Sequence, residues 1–484
     1  MSKNLTITER IQEINKMTDD NLLVNTFKDD PVLWVREAVI NKLSDENLIF
    51  NTFKNDPDDF VRKQVVKKLS DEQLLFDTFK DDPSRHVRLA VVDKLTDQNL
   101  IFNTFKNDPD YVVREHVVNK IDDENLFLNT FKDDPSWEVR STLVRNLSDE
   151  QLIFNSFKDD ESSFVRDAVV KQLTDKHLLF NTFKDDANSL VRESLVNKLF
   201  DEDDKDWTAR LVDTFKDDPH PDVRASVVSK LSDEDSLLSF KDDVDEEVRA
   251  IVAESLSDEE LIFNTFKDDP SYLVRGVVVI KLSDENLIFN TFKNDTDEVV
   301  RRLVVSEVSD EENIFKAFKD DPYEDVRLEL VSKLSDESHI LAFKNDPDGL
   351  VRQTVVDKLS DDQLIVDTFK NDPNIYVRIE AVRRLTDEQK IFESFKDDPD
   401  WVVRQVVVEN LSDEQLILNT FKDDNAWQVR DAVAKKLSDM YSLIEFADDP
   451  NEYVRQTVTN KLSEINNEFY EALNQLDSGN ELEF

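Results

Sequence analysis

The amino-acid sequence predicts an all-α solenoid, a superhelix of about seventeen two-helix repeats of 26 residues. Three observations carry this reading. A Val-Arg dipeptide with Asp six and Phe nine places before its arginine recurs seventeen times from Arg36 to Arg455, usually at the interval that separates Arg36, Arg62 and Arg88. Twelve of the 13 prolines stand five places before one of these arginines, and the other, Pro221, follows Pro219 by two. Glycine is reduced to Gly276, Gly349 and Gly479, which excludes a Gly-rich phosphate loop and leaves helices to stop by other means.

The unit Leu69–Leu95, LSDEQLLFDTFKDDPSRHVRLAVVDKL, shows how each element arises. Ser70 reads as an N-cap with Gln73 as its capping-box partner, and Leu69 and Leu74 occupy the positions of a hydrophobic staple. Leu74, Leu75, Phe76 and Phe79 form the apolar face of a first helix. Asp82 reads as the next N-cap and Pro83 as the first helical residue. The second helix carries Val87, Val91, Val92 and Leu95 at helical spacing. Helices of about eleven residues are too short to stand alone in water, so units must stack to bury these faces.

Irregularities set the organisation. Residues 1–17 read as an N-terminal cap, 18–199 as repeats one to seven, 216–462 as repeats eight to seventeen, and 463–484 as a C-terminal cap helix with an acidic tail. The interval from Arg192 to Arg224 is six longer than the usual one, so 200–215 is a junction with a longer first helix or a bulging loop, containing Trp207. The intervals after Arg224, Arg327 and Arg430 are each one shorter than usual, and they fall four units apart. A four-unit duplication step and a superhelical constraint both account for that pattern.

Composition narrows the function. Cysteine is absent, which excludes disulfides and thiolate metal sites. No apolar run approaches the ~18 residues that span a bilayer, and MSKNLTITERIQEINK lacks an apolar signal core, so a cytoplasmic protein is expected. The formal net charge of −47 disfavours direct contact with nucleic acid or anionic membrane and favours a basic protein partner. The same charge keeps a long array soluble. His86, His116, His177, His220 and His339 occupy different repeat positions and form no metal-binding pair on a helix. The many Asp-Asp pairs lack the spacing of a calcium loop and read as helix caps. No catalytic, cofactor or metal site is expected.

The run Asp-Pro-x-x-x-Val-Arg-x-x-Val-Val resembles the second helix of HEAT and HEAT-like repeats, and the short unit is similar to that of the leucine-rich repeat variant. The resemblance extends from about Thr18 to Leu462. It implies a ladder between neighbouring units made by an Asp and an Arg six places apart, here Asp56 with Arg62, Asp82 with Arg88, Asp295 with Arg301 and their equivalents. It also implies that the second helix lines a concave surface. Some HEAT-like proteins are lyases, hydroxylases or glycosylases. The His-Glu pairs of the hydroxylases are absent here, and the acidic balance contradicts the basic groove of the glycosylases.

With each Val-Arg arginine as position zero, positions −1, +3, +4 and +7 form one apolar side of the second helix. Positions −2, +1, +2 and +5 face away and vary between repeats, whereas the first helix repeats SDExLIFNTFKD with few changes. Aromatic side chains enter at −2 as Trp34, Phe60, Phe164, Tyr376 and Tyr453, and at −3 as Tyr111, Trp137, Tyr272, Trp401 and Trp427. Exposed Trp and Tyr serve as binding anchors. The middle units carry Asp222, Glu247 and Asp325 at −2, giving two expected aromatic zones flanking an acidic centre. The expectation is a non-enzymatic protein-binding scaffold or adaptor that meets a basic partner on this variable face. The expected contacts are Trp34, Phe60, Phe164, Tyr376 and Tyr453, together with Trp137, Trp401 and Trp427. The alternatives are an acidic nucleic-acid mimic and a HEAT-like lyase or chaperone.

Overall fold

A computed structural model describes residues 6–201 and 204–478, with side chains described up to Ile465. The described residues form helices and turns only, with 35 helices in chain order. The acidic tail from Gly479 and two insertion residues, Glu202 and Asp203, lie outside the described residues. The chain forms two compact units, Met1–Phe240 and Lys241–Phe484. Within each unit the second helices pack directly on the second helices of the neighbouring repeats, and each first helix packs mainly on its own second helix.

The regular repeat joins a first helix of eight residues, such as Glu72–Phe79, to a second helix of ten, such as Arg85–Lys94. Leu75, Phe76 and Phe79 from the first helix and Val87, Val91 and Val92 from the second are buried. Position zero and the four apolar positions of the second helix therefore supply a continuous core from one repeat to the next. Phe76 is covered at its edge by Lys80, whose ammonium lies 4.8 Å from the ring centroid. The same lysine-over-phenylalanine pair recurs at Lys54 on Phe50 and Lys293 on Phe289.

Both expected helix starts shift. The first helix is capped by Asp71, whose carboxylate accepts from the Leu74 amide at 3.0 Å, and not by Ser70. Ser70 instead donates its amide and hydroxyl to Glu46 of the preceding repeat, at 2.7 and 2.9 Å. Gln73 reaches along its own helix to Asp77, and the shifted cap removes Leu69 and Leu74 from staple register. The second helix is capped by Ser84, and Asp82 and Pro83 lie in the turn before it. The Asp82 carboxylate, two places before that cap, takes the Arg62 guanidinium of the preceding repeat and the Ser84 amide.

The three short repeats keep their phenylalanine by tighter winding. Their first helices shrink to five residues, Glu234–Leu238, Glu337–Leu341 and Met440–Ile444. Bonds of the i to i−3 kind follow, as from Phe240 N–H to Leu237 O and from Phe343 N–H to Ile340 O. A 3₁₀ turn rises about 2.0 Å per residue against 1.5 Å in an α-helix, so one fewer residue covers a similar distance. Phe240 and Phe343 remain buried.

The insertion lengthens the first helix to eleven residues, Lys205–Phe215. Trp207 is buried against Phe180 and His177 of the preceding repeat, and Arg210 stacks 4.1 Å from the Phe180 centroid. At the C-terminus no break separates the last repeat from a cap helix at residue 463. One helix runs unbroken over Glu452–Ser478. At the N-terminus the helix Ile7–Lys16 behaves as a reduced second helix. Arg10 pairs with Asp30 at 2.8 Å and Lys42 donates to Asn15 O, contacts that recur between later repeats.

Candidate partner-binding face

The position-zero arginine fixes the junction between repeats. Arg62 donates from Nε and Nη2 to the Asp82 carboxylate, ahead of it in the next repeat, at 2.7 and 2.8 Å. Its Nη1 donates to the backbone carbonyl of Asp56, six places behind, at 2.8 Å. Arg88 does the same with Asp108 and the Asp82 carbonyl, and Arg301 with Asp321 and the Asp295 carbonyl. The spacing of six thus marks a carbonyl contact, while the carboxylate contact crosses to the next repeat. In a short repeat the pair is Arg327–Asp346, and across the insertion it is Arg192–Asp218, so the geometry survives both changes of spacing. Both charged groups are nearly out of solvent, with side-chain exposures of 9% for Arg301 and 5% for Asp321. Burial pushes the Asp295 carboxyl up, but hydrogen bonds from Arg275 and the Asp297 amide, with the Arg275 and Arg301 charges, hold it below the ordinary aspartate value.

A second set of contacts obeys one register rule. In the regular repeats, a residue on one second helix meets the residue 27 positions ahead on the next. Lys68 donates to Asn41 O and Lys94 to Lys67 O, capping the C-terminal end of the preceding second helix. Gln64 bonds Glu37, and Thr142 bonds Glu115 at 2.8 Å. Ser194 bonds Asp167 in the same way. These side chains occupy positions +1 and +2. Their variation is therefore matched, donor against acceptor, inside the protein, and Ser141, Thr142, Asp167 and Ser194 are buried. In these repeats positions +1 and +2 serve inter-repeat packing, whereas Arg302 and Gln456 at +1 are exposed.

The N-terminal turns of the second helices are different. Trp34 is 58% exposed, Tyr376 65% and Tyr453 60%, and Phe60 and Phe164 are about half exposed. At −3, Trp137 and Trp401 are exposed at their outer edge, and Trp427 is half-buried. The register rule brings −3 of one repeat against −2 of the next. Trp137 stacks on Phe164 with centroids 4.5 Å apart and planes at 27°. Trp427 stacks on Tyr453 at 5.2 Å and 24° in a short-repeat junction. Phe60 lies 5.7 Å from His86, and His86 Nδ1 is 3.1 Å from Asp59. The sequence signal for these pairs was present in the two aromatic positions, but only the offset between helices joins them. Within the first unit, the aromatic positions run from Trp34 to Phe164 and give way to Asp222. In the second, Glu247 and Asp325 precede Tyr376, Trp401 and the Trp427–Tyr453 pair.

The histidines are dispersed, with His116 against Asp93, His339 stacked on Phe315 and His177 on Trp207. Among the described residues no helix is long and apolar enough to cross a membrane.

No protein-family model matches the chain, and no curated protein matches it. Similar solved structures include a leucine-rich repeat variant, 23% identical over 48% of this chain and 88% of that one, with a TM-score of 0.37. Importin beta is 11% identical over 95% of this chain and 68% of its own, with a TM-score of 0.25. The S. pombe condensin Cnd3-Cnd2 subcomplex is 14% identical over 94% and 81%, with a TM-score of 0.24.

Proposed function

We propose that this chain is a non-enzymatic scaffold or adaptor that binds a basic protein through the N-terminal turns of its second helices. The observation that carries the reading is the recurrent exposure of large aromatic side chains at this one helix position in a strongly acidic protein. Side chains that vary for packing reasons, at +1 and +2, are matched to a neighbour, whereas Trp34 and Tyr376 protrude into solvent. Second helices pack on one another more closely than first helices do, which supports a concave face on the second-helix side within each unit. The net charge of −47 supports a basic partner, drawn in from a distance and held by the rings.

A photo-crosslinking amino acid placed at Phe60 or Tyr376 should capture the partner in cells, and one placed at Asn51 on a first helix should not. Capture from Asn51 alone would place the partner on the first-helix side and overturn the proposal.

A further inference from the structure

The two stacked ring pairs have a chemistry more specific than apolar contact. Trp137 is the first residue of its helix and Phe164 the second of the next, and the same positions hold Trp427 and Tyr453. Each pair exposes ring surface beside carboxylates. Glu138 follows Trp137, and Glu161, three places before Phe164, has a side-chain exposure of 86%. At the other pair, Glu452 precedes Tyr453, and Asp423 and Asp448 lie on the two turns that lead into it. The turns 133–138, 159–164, 423–428 and 448–453 contain no lysine or arginine. Arg140 and Arg430, the nearest cations on the helices themselves, are committed to Asp160 and Asp449, and Arg140 also lies 3.4 Å from the exposed Glu161 carboxylate.

Exposed ring surface in a strongly acidic setting, with the flanking Lys158 and Lys422 already paired to Asp159 and Glu445, suits a planar cation. The ring quadrupole attracts positive charge to its face. A guanidinium lies flat on such a ring and keeps its N–H fork free for a carboxylate, which an ammonium cannot do. A lysine would be drawn by the same charges but would lose the stacking.

We infer that the Trp137–Phe164 and Trp427–Tyr453 pairs are arginine-binding subsites, one in each unit, that take arginine side chains of the partner. The inference rests on the proposed binding face, because it assumes that these turns meet a partner. It arises independently at both pairs, which share helix positions and carboxylate surroundings but differ in ring type and in repeat length.

The test uses the full chain and fluorescein-labelled peptides of alternating arginine and glycine, alternating lysine and glycine, and alternating citrulline and glycine, followed by anisotropy near physiological salt. The arginine peptide should bind ~5-fold or more tighter than the lysine peptide, as expected where stacking adds to charge, and the citrulline peptide should not bind. The double variant W137L/W427L keeps an apolar side chain at each site. It should lower the arginine-peptide affinity more than the lysine-peptide affinity and so abolish the preference for arginine. A variant with E46Q, E72Q, E124Q and E150Q removes charge from the first-helix side and should weaken both cationic peptides alike. Equal binding of arginine and lysine peptides to the parent chain would overturn the inference, as would an arginine preference that survives in W137L/W427L. Hydrogen exchange on W137L/W427L establishes that its repeats stay folded. Crosslinking from Phe60 or Tyr376 without arginine preference would sink the subsites and leave the binding face standing. Arginine preference with crosslinking from Asn51 alone would do the reverse.

Discussion

At the scale of the residue, the arginine at position zero is the most constrained side chain in the repeat. It lies in the apolar sector of its helix, so its charge must be paired where it stands. It uses three nitrogens on two repeats at once, as Arg301 does with the Asp321 carboxylate and the Asp295 carbonyl. Sequence spacing alone could not separate these contacts. Because the repeat is periodic, the aspartate behind one arginine is also the aspartate ahead of the previous one, as Asp295 is for Arg301 and Arg275. The structure assigns the carboxylate to the forward contact. Replacing Arg301 with Ala leaves Asp321 buried with only the Tyr323 amide as donor. The cost should be about 2–3 kcal/mol, the lower part of the range for breaking a buried pair, because water can enter at the repeat edge. The loss should stay local, since each repeat contacts only its neighbours. Hydrogen exchange should therefore quicken over residues 298–333 while repeats near Tyr376 and beyond keep their protection. Unchanged exchange in the Arg301 repeat would contradict the pairing.

At the scale of the element, the number of helices, their pairing and their apolar faces were legible because periodicity and burial follow from the same residues. The core positions −1, +3, +4 and +7 are buried in the Arg88 repeat as their spacing implies. Helix starts were not legible to the residue. A Ser or Thr stands beside an Asp at most first-helix starts, and either has the chemistry of a cap. What decides is the neighbouring repeat, where Glu46 takes the Ser70 hydroxyl and leaves Asp71 to cap the helix. The aromatic pairs escaped for a similar reason. Trp137 and Phe164 occupy different positions in their repeats, and only the one-residue offset between second helices brings them together. The cap assignment has a direct consequence. Asp71→Ala should cost about 1 kcal/mol through loss of the helix cap. Ser70→Ala, which removes one exposed hydroxyl contact while the Ser70 amide bond remains, should cost less. Thermal unfolding and local hydrogen exchange at Leu74 and Leu75 would compare the two. A larger loss from Ser70→Ala would restore serine as the cap.

At the scale of the whole chain, the charge is sorted by element. The first-helix segment of the Leu69 unit carries Asp71, Glu72, Asp77, Asp81 and Asp82 against Lys80 alone, whereas the second helix carries Arg85, Arg88 and Lys94 against Asp93. The net charge of −47 therefore comes from the constant part of the repeat, which explains why composition forecast an acidic protein but not the chemistry of its variable face. Two populations of carboxylate follow, with opposite effects on stability. Unpaired ones repel one another at neutral pH, so added salt should raise the unfolding midpoint at pH 7 by screening them. Paired ones stabilise. Hydrogen bonds from the Ser309 hydroxyl and amide hold Glu285 below its ordinary value. Asp218, Asp295, Asp424 and Asp449 are held low by their arginines despite burial. A carboxyl with a depressed folded-state pKa contributes its stability above the unfolded value and loses it as pH falls through the folded one. Acidification should thus first relieve repulsion, towards the isoelectric point near 4.4, and then dismantle the junctions. The midpoint should hold or rise from pH 7 to about 5 and fall below about pH 4, where the ordinary carboxylate range ends. Calorimetry at low protein concentration across this range would follow both phases. A midpoint that stays level from about pH 5 to 2.5 would mean that the buried Arg–Asp pairs do not hold the repeats together, because protonation of the aspartates must otherwise release them.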